Sequence, residues 1–153
     1  MQSFDIEFGV PSHGWMEIRL STADQQLVLH VSDVPCDSIR GLVSVLTLIL
    51  QGSMREFVEW SLEPEYAEWT LICNGDDLEL TVTLTRGSPA AFSFHGSKRM
   101  IVRRLLKGLS DLRSNPVWQA PNAIEDVWSW EFPDKQLAAL KERLKNSECV
   151  RPI

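Results

Sequence analysis

The stretch "EFVEWSLEPEYAEWTLICNGDDLELTVTLT", residues 56–85, decides the fold because apolar and polar side chains alternate along most of it. Alternation with a period of two is typical of strands that bury one face. Two breaks interrupt it, "PE" at 64–65 and "NGDD" at 74–77, and an Asn-Gly pair is a strong hairpin signal. The stretch therefore predicts three antiparallel strands joined by short turns.

The same alternation sorts the side chains of these strands onto two faces of a sheet. One face is apolar and includes Trp60 and Trp69, which we expect in the core. The other face carries threonines and glutamates, and we assign to it Glu59, Glu63, Glu68 and Glu79.

Alternating segments also precede and follow this stretch. "FDIEFGV", "WMEIRLS" and "LVLHVS" predict three strands in the first third of the chain, and "AFSFHG" predicts one after the quoted stretch. Apolar residues at three- and four-residue steps predict helices in "DVPCDSIRGLVSVLTLILQGS" and "SKRMIVRRLLKGLSDLRS". Asp37 or Ser38 can cap the first of these helices and Ser97 the second. A shorter amphipathic helix closes the chain at "DKQLAALKERLKNSE".

Strands joined by short turns, with helices between them, predict an α+β fold in a single domain over residues 1–153. We expect an antiparallel sheet of about six to seven strands. Two main helices should pack on one face of the sheet, and a short C-terminal helix should complete the fold.

Composition restricts the classes of partner. The net charge of −6 argues against nucleic acid and anionic membranes as partners. The longest apolar run, "GLVSVLTLIL", is about half of the roughly 20 residues that a membrane span needs. The first ten residues lack the basic start of a signal peptide, and the three cysteines form no CxxC pair. These features predict a cytoplasmic protein with free thiols.

No motif predicts a catalytic, metal-binding or cofactor-binding residue. The chain lacks GxGxxG and P-loop patterns, and His13, His30 and His95 do not have metal-ligand spacing. Arg99, Arg103 and Lys107 fall on one face of a predicted helix, which we interpret as solvated and partly paired with the protein's own acids. We therefore predict no enzyme activity and no cofactor.

Two features remain as candidate partner-binding elements. Residues 56–80 contain eight acids and no Lys or Arg, so their mutual repulsion would be relieved by a basic protein. Trp128 and Trp130 alternate with Phe132 along a possible edge strand, and tryptophan is enriched at interfaces. The alternatives are that the acids are only the solvated side of the sheet and that the aromatic residues cover the end of the core.

A class of small bacterial proteins has a similar order of motifs to three runs of this chain, "FGVPSHGWMEIRLS", "LVLHVSDVPCDSIRGLVSVLTLILQG" and "WSLEPEYAEWTL". In this order, "HGW" opens a strand, a second strand leads into an apolar helix, and an acidic "W-x-L-E-P-x-x-Y" hairpin follows. In these runs, over roughly the first 85 residues, the chain resembles the immunity proteins of bacterial polymorphic-toxin systems. The resemblance implies a cytosolic, non-enzymatic protein that binds and neutralises a cognate toxin domain, and it carries over no binding residue.

Two other function classes stay open at this point. A small-molecule-binding domain or enzyme would need a cleft between sheet and helices, with His30 or His95 inside it beside a carboxylate. A homo-oligomeric structural protein would use the Trp-rich segment before the last helix as its dimer surface. The sequence does not decide the oligomeric state.

Overall fold

The computed structural model describes residues 3–84 and 87–149, with side chains through Ser147. Seven strands form one antiparallel sheet in the order of the sequence, which confirms the α+β class. The strands are β1 Asp5–Phe8, β2 Trp15–Ser21, β3 Gln26–Ser32, β4 Arg55–Ser61, β5 Tyr66–Asn74, β6 Asp77–Thr83 and β7 Phe92–Ser97. The helices are α1 Ser38–Leu50, α2 Lys98–Arg113, a 3-10 helix Pro116–Gln119, α3 Ala123–Asp126 and α4 Asp134–Cys149.

The two main helices begin and end where local chemistry dictates. The Asp37 carboxylate accepts a hydrogen bond from the Arg40 amide at the start of α1, and Ser97 caps α2 in the same way through the Met100 amide. Gly52 follows α1 with φ +105°, a conformation that L side chains rarely adopt. Both predicted helices are therefore confirmed, and Asp37 supplies the cap of the first.

The core lies between the helices and the apolar face of the sheet. Trp60 and Trp69 are fully buried there with their ring centroids 5.5 Å apart, as the strand alternation predicts. Helix α1 packs on β4, α2 packs on β1, β6 and β7, and α4 packs on both helices. Gly108 allows the close approach of α2 to β1, because a Cβ at this position would lie 3.1 Å from the Phe8 ring.

The pairing of the strands is short at the centre of the sheet. Strands β4 to β7 pair along their lengths, whereas β3 and β4 share one register pair, Ser32 with Ser61. The β4–β7 half therefore presents a continuous outer face. None of the helices among the described residues combines the length and apolar character needed to cross a membrane.

The segment between α2 and α4 differs from the predicted edge strand. Residues 127–133 contain no strand; the 3-10 helix and α3 precede them, and hydrogen bonds to distant parts of the chain hold the segment in place. Trp128 and Phe132 are buried, while Trp130 remains 37% exposed. Two of the three aromatic residues therefore cover the end of the core.

Candidate protein-binding surface

Two glutamates face each other across the outer side of the β4–β5 hairpin. Glu59 of β4 pairs in register with Glu68 of β5, and both side chains are partly buried. Directly opposed residues have Cβ atoms about 4.5–5.5 Å apart, at which separation like charges destabilise the sheet. No described basic residue forms an ion pair with either one. Among the described residues, the like charges of this pair are therefore not neutralised by an ion pair.

Glu79 extends this negative surface to the next strand. It lies on β6 between Ile72 of β5 and His95 of β7, with its side chain exposed. Its carboxylate accepts a long hydrogen bond of 3.4 Å from the Thr81 hydroxyl. The Glu79 carboxylate is therefore open to solvent on the outer side of β6.

Glu63 takes a different place from the one the alternation predicts. β4 ends at Ser61, so Glu63 lies in the turn, with φ +43° and an exposed side chain. Its amide donates to the Ser61 hydroxyl at 3.3 Å. The prediction that Glu63 shares the strand face with Glu59 is wrong, because the turn begins before the alternation of the sequence ends.

Two apolar side chains stand among these carboxylates. Phe57 is 58% exposed and Ile72 is 39% exposed. Arg55 pairs with Ile72 and Phe57 pairs with Thr70, so Phe57 and Ile72 are diagonal neighbours within reach of each other. We call the surface formed by Phe57, Glu59, Glu68, Ile72 and Glu79 the acidic face. Sequence reasoning missed Phe57, although its parity, the same as that of Glu59, was the signal that could have found it.

A depression of about 610 Å³ adjoins the acidic face. Glu59, Glu65, Glu68 and Tyr66 line it, and Arg55 also contributes to its wall. Carboxylates thus surround a concave region as well as a flat one.

His30 and His95 lie on the outer face of the sheet and not in a cleft between sheet and helices. His30 pairs with Glu17 and His95 pairs with Glu79, and both rings are exposed on the outer face, away from the helices. The described residues contain no cluster of three or more His, Cys, Asp or Glu side chains suited to a metal ion. Burial raises the pKa of the Cys73 thiol, which makes it a poor nucleophile. Neither His30 nor His95 therefore lies where the expectation of a small-molecule site between sheet and helices placed it.

Two basic residues of the predicted α2 face contact the protein's own groups. Lys107 pairs with Asp111 one turn later at 2.9 Å, and the Arg99 guanidinium donates to the Ser147 carbonyl at 2.7 Å. These contacts agree with a solvated helix face that is partly paired with the protein's own groups.

The two tryptophans that were predicted as partner-binding anchors, Trp128 and Trp130, differ in their burial. Trp128 is 2% exposed, so its indole belongs to the core and is not available at the surface. Trp130 lies at the surface, and its Nε1 donates to the Asp33 carbonyl at 2.6 Å. The Asp33 carboxylate, itself 5% exposed, accepts a hydrogen bond from the Ser129 amide at 2.7 Å. Asp33 therefore fixes Trp130 in position.

A second cavity, of about 590 Å³, lies at this segment, and we call it the tail cavity. Its aromatic lining is formed by Trp118, Trp128, Trp130 and Phe132. No protein-family model, curated protein or solved structure matches this chain. The acidic face and the tail cavity are therefore the features on which a function can rest.

Proposed function

We propose that the protein is a non-catalytic binding module that docks a basic protein on its acidic face, most concretely an immunity protein that neutralises a cognate toxin domain. The observation that carries the proposal is the opposed pair Glu59 and Glu68, which forms no ion pair with a described basic residue and lies beside the exposed Phe57. The three side chains combine negative charge with an apolar anchor on one rigid surface.

Charge supports a basic partner. Bringing Lys or Arg side chains against Glu59, Glu68 and Glu79 removes the repulsion between the carboxylates and adds attraction, so binding gains from both sources. The net charge of −6 steers a basic protein toward the molecule and raises the association rate at low salt. Neutral and acidic partners would gain from neither effect.

The apolar residues Phe57 and Ile72 would supply the binding affinity that exposed charges do not provide. Exposed charge pairs contribute little affinity, typically about 0–1 kcal/mol, so a tight complex needs buried anchors. Phe57 projects from the middle of a paired strand, and Ile72 is its diagonal neighbour. The central aromatic anchor would be desolvated on binding while the surrounding carboxylates form the polar rim.

An immunity role implies that a gene adjacent to that of this protein encodes a toxin-sized domain, and the test uses that domain. Co-expression of that domain with the native chain should restore growth. The double reversal Glu68→Lys and Glu79→Lys should abolish the rescue. Glu68→Lys is expected to fold, because the new lysine would face Glu59 across the hairpin.

A matched control separates local charge from net charge. Asp111→Lys and Glu142→Lys change the net charge by the same amount on helices away from the acidic face, and this variant should still rescue growth. Loss of rescue by both double variants, or by neither, contradicts docking on the acidic face. An adjacent domain that is not toxic, or whose toxicity persists with the native chain, contradicts the immunity role.

A further inference from the structure

The tail cavity plays no part in the proposed docking on the acidic face. It lies between the end of α2 and the start of α4, and both ends contribute to its wall through Arg113 and Asp134. Its volume of about 590 Å³ falls within the range of small-molecule sites, about 300–1,000 Å³. Its lining combines aromatic rings with carboxylates.

The aromatic walls are held in place before any ligand arrives. The Trp118 Nε1 donates to the Leu112 carbonyl at 2.9 Å, and the Trp118 ring meets Phe132 edge to face with centroids 5.0 Å apart. The Trp130 Nε1 is fixed on the carbonyl of Asp33. Rings positioned in this way do not lose conformational freedom when a ligand binds, which favours binding.

The charges of the lining leave an excess of carboxylate. Arg113 is paired with Asp134 through two hydrogen bonds of 2.5 and 3.2 Å. Glu125 and Glu131 also line the cavity, and neither forms an ion pair with any described residue. One guanidinium against three carboxylates gives the lining a formal charge of −2.

The chain already holds one cation of its own at this wall. The Arg113 guanidinium carbon lies 5.7 Å from the centre of the Phe132 ring while its nitrogens donate to Asp134. An aromatic face together with a carboxylate is a favourable environment for a guanidinium or ammonium group. Trp130 with Glu125 and Glu131 offers the same combination, with no cation of the described chain paired to these carboxylates.

We propose that the tail cavity binds an organic cation: a guanidinium or ammonium group on an apolar stem. The stem packs on the Trp130 and Trp118 rings, and Glu125 or Glu131 neutralises the charge. The cation can be a free small amine or the side chain of a protein. The proposal stands whether or not the acidic face binds a toxin.

The test is an NMR titration of the full chain that follows the indole N–H signals. The probe is n-butylguanidinium, and the control ligand is n-butylurea, which has a similar shape and no charge. The cation should shift the Trp118 and Trp130 signals saturably, while the signals of the buried Trp60 and Trp69 stay in place. No saturable shift, or equal binding of the urea, overturns the proposal.

Variants locate the counter-charge. The double substitution Glu125→Gln and Glu131→Gln should lower the affinity for n-butylguanidinium. We expect a factor of about two to five for each carboxylate that pairs with the cation at the surface. Glu142→Gln, on an exposed position of α4, should leave the affinity unchanged. Trp130→Leu should weaken binding more than Trp130→Phe, because Phe keeps an aromatic face although it lacks the N–H that donates to the Asp33 carbonyl. Unchanged affinity in the double Gln variant overturns the assignment.

A second ligand distinguishes the two sources of the cation. A blocked Gly-Arg-Gly peptide presents the same guanidinium on a polypeptide backbone. Tighter binding of the peptide than of butylguanidinium supports a protein side chain as the natural occupant. Tighter binding of butylguanidinium supports a free small cation. Failure of both to bind contradicts the proposal.

Discussion

Replacing Asp33 should loosen the segment that carries Trp130. Asp33 follows β3 and makes three hydrogen bonds to two distant parts of the chain. Its amide donates to the Gly14 carbonyl at 2.9 Å, while its carbonyl accepts from Trp130 and its carboxylate accepts from Ser129. Asp33→Ala deletes the carboxylate and leaves both backbone contacts. The substitution therefore isolates the 2.7 Å bond to the Ser129 amide.

The size of the effect follows from the unpaired amide. Leaving a buried donor without its acceptor costs about 1–3 kcal/mol. The bond is partly buried, so we expect about 1–2 kcal/mol of lost unfolding free energy. In a protein of this size that corresponds to a fall in Tm of about 2–8 °C. Asp33→Asn retains an oxygen acceptor and should lose less than half as much.

Urea unfolding measures the difference in unfolding free energy between Asp33→Ala and Asp33→Asn, provided that both variants keep the m value of the native chain. Amide and indole NMR signals locate it: the Ser129 amide and the Trp130 Nε1 should shift in Asp33→Ala, while the Trp69 indole should not. An Asp33→Ala variant as stable as the native chain would refute this account of the segment. Equal losses in Asp33→Ala and Asp33→Asn would show that the hydrogen bond is not the cause.

Three further predictions concern other parts of the molecule. Gly14→Ala should destabilise more than Gly75→Ala in urea unfolding, because both glycines have positive φ but only the Cβ at 14 would meet a neighbour, the Asp33 carboxylate at 2.8 Å. Glu68→Gln should raise the unfolding free energy by about 0.2–1 kcal/mol at low salt, and the gain should shrink at 0.5 M NaCl, since it removes a like-charge pair. The gain would be absent if the two opposed carboxylates did not repel. Cys73 should react with iodoacetamide much more slowly in the native than in the unfolded protein, because burial raises its pKa and lowers the thiolate fraction; peptide mass spectrometry would measure this, and equal rates would contradict it.

The strand alternation predicts most of the fold because a period of two is a local property. It places the buried Trp60 and Trp69 and the outer pair Glu59 and Glu68 correctly, as β4 and β5 confirm. It does not show where a strand stops. Glu63 continues the alternating pattern but lies in the turn.

The segment around Trp130 could not be predicted because distant residues determine it. No period is present between α2 and α4, and the contact that fixes Trp130 comes from Asp33, which is 97 residues away in sequence. The burial of Trp128 likewise depends on packing against the core and not on neighbouring residues. Long-range contacts of this kind leave no regular signal in a single sequence.

Two properties define the acidic face: the parity of residues along each strand and the register between strands. Parity places Glu68 and Ile72 on the outer side, but register alone establishes that Glu59 faces Glu68 and that Phe57 is the diagonal neighbour of Ile72. The number of residues between two strands does not reveal which residues lie opposite each other in the sheet. Parity therefore assigns Phe57 and Ile72 to the outer side, and the register shows that they are neighbours there.

The most direct test of docking on the acidic face is the association rate of the purified chain with the cognate toxin domain that we propose as its partner. We predict that the rate constant of the native chain falls steeply between 50 and about 500 mM NaCl, since screening shortens the reach of the carboxylates to about 10 Å or less above 0.1 M salt. Glu68→Lys with Glu79→Lys should lower the rate at low salt and flatten its salt dependence far more than Asp111→Lys with Glu142→Lys. A rate that is independent of salt, or equal effects of the two double variants, would contradict the acidic face as the docking surface.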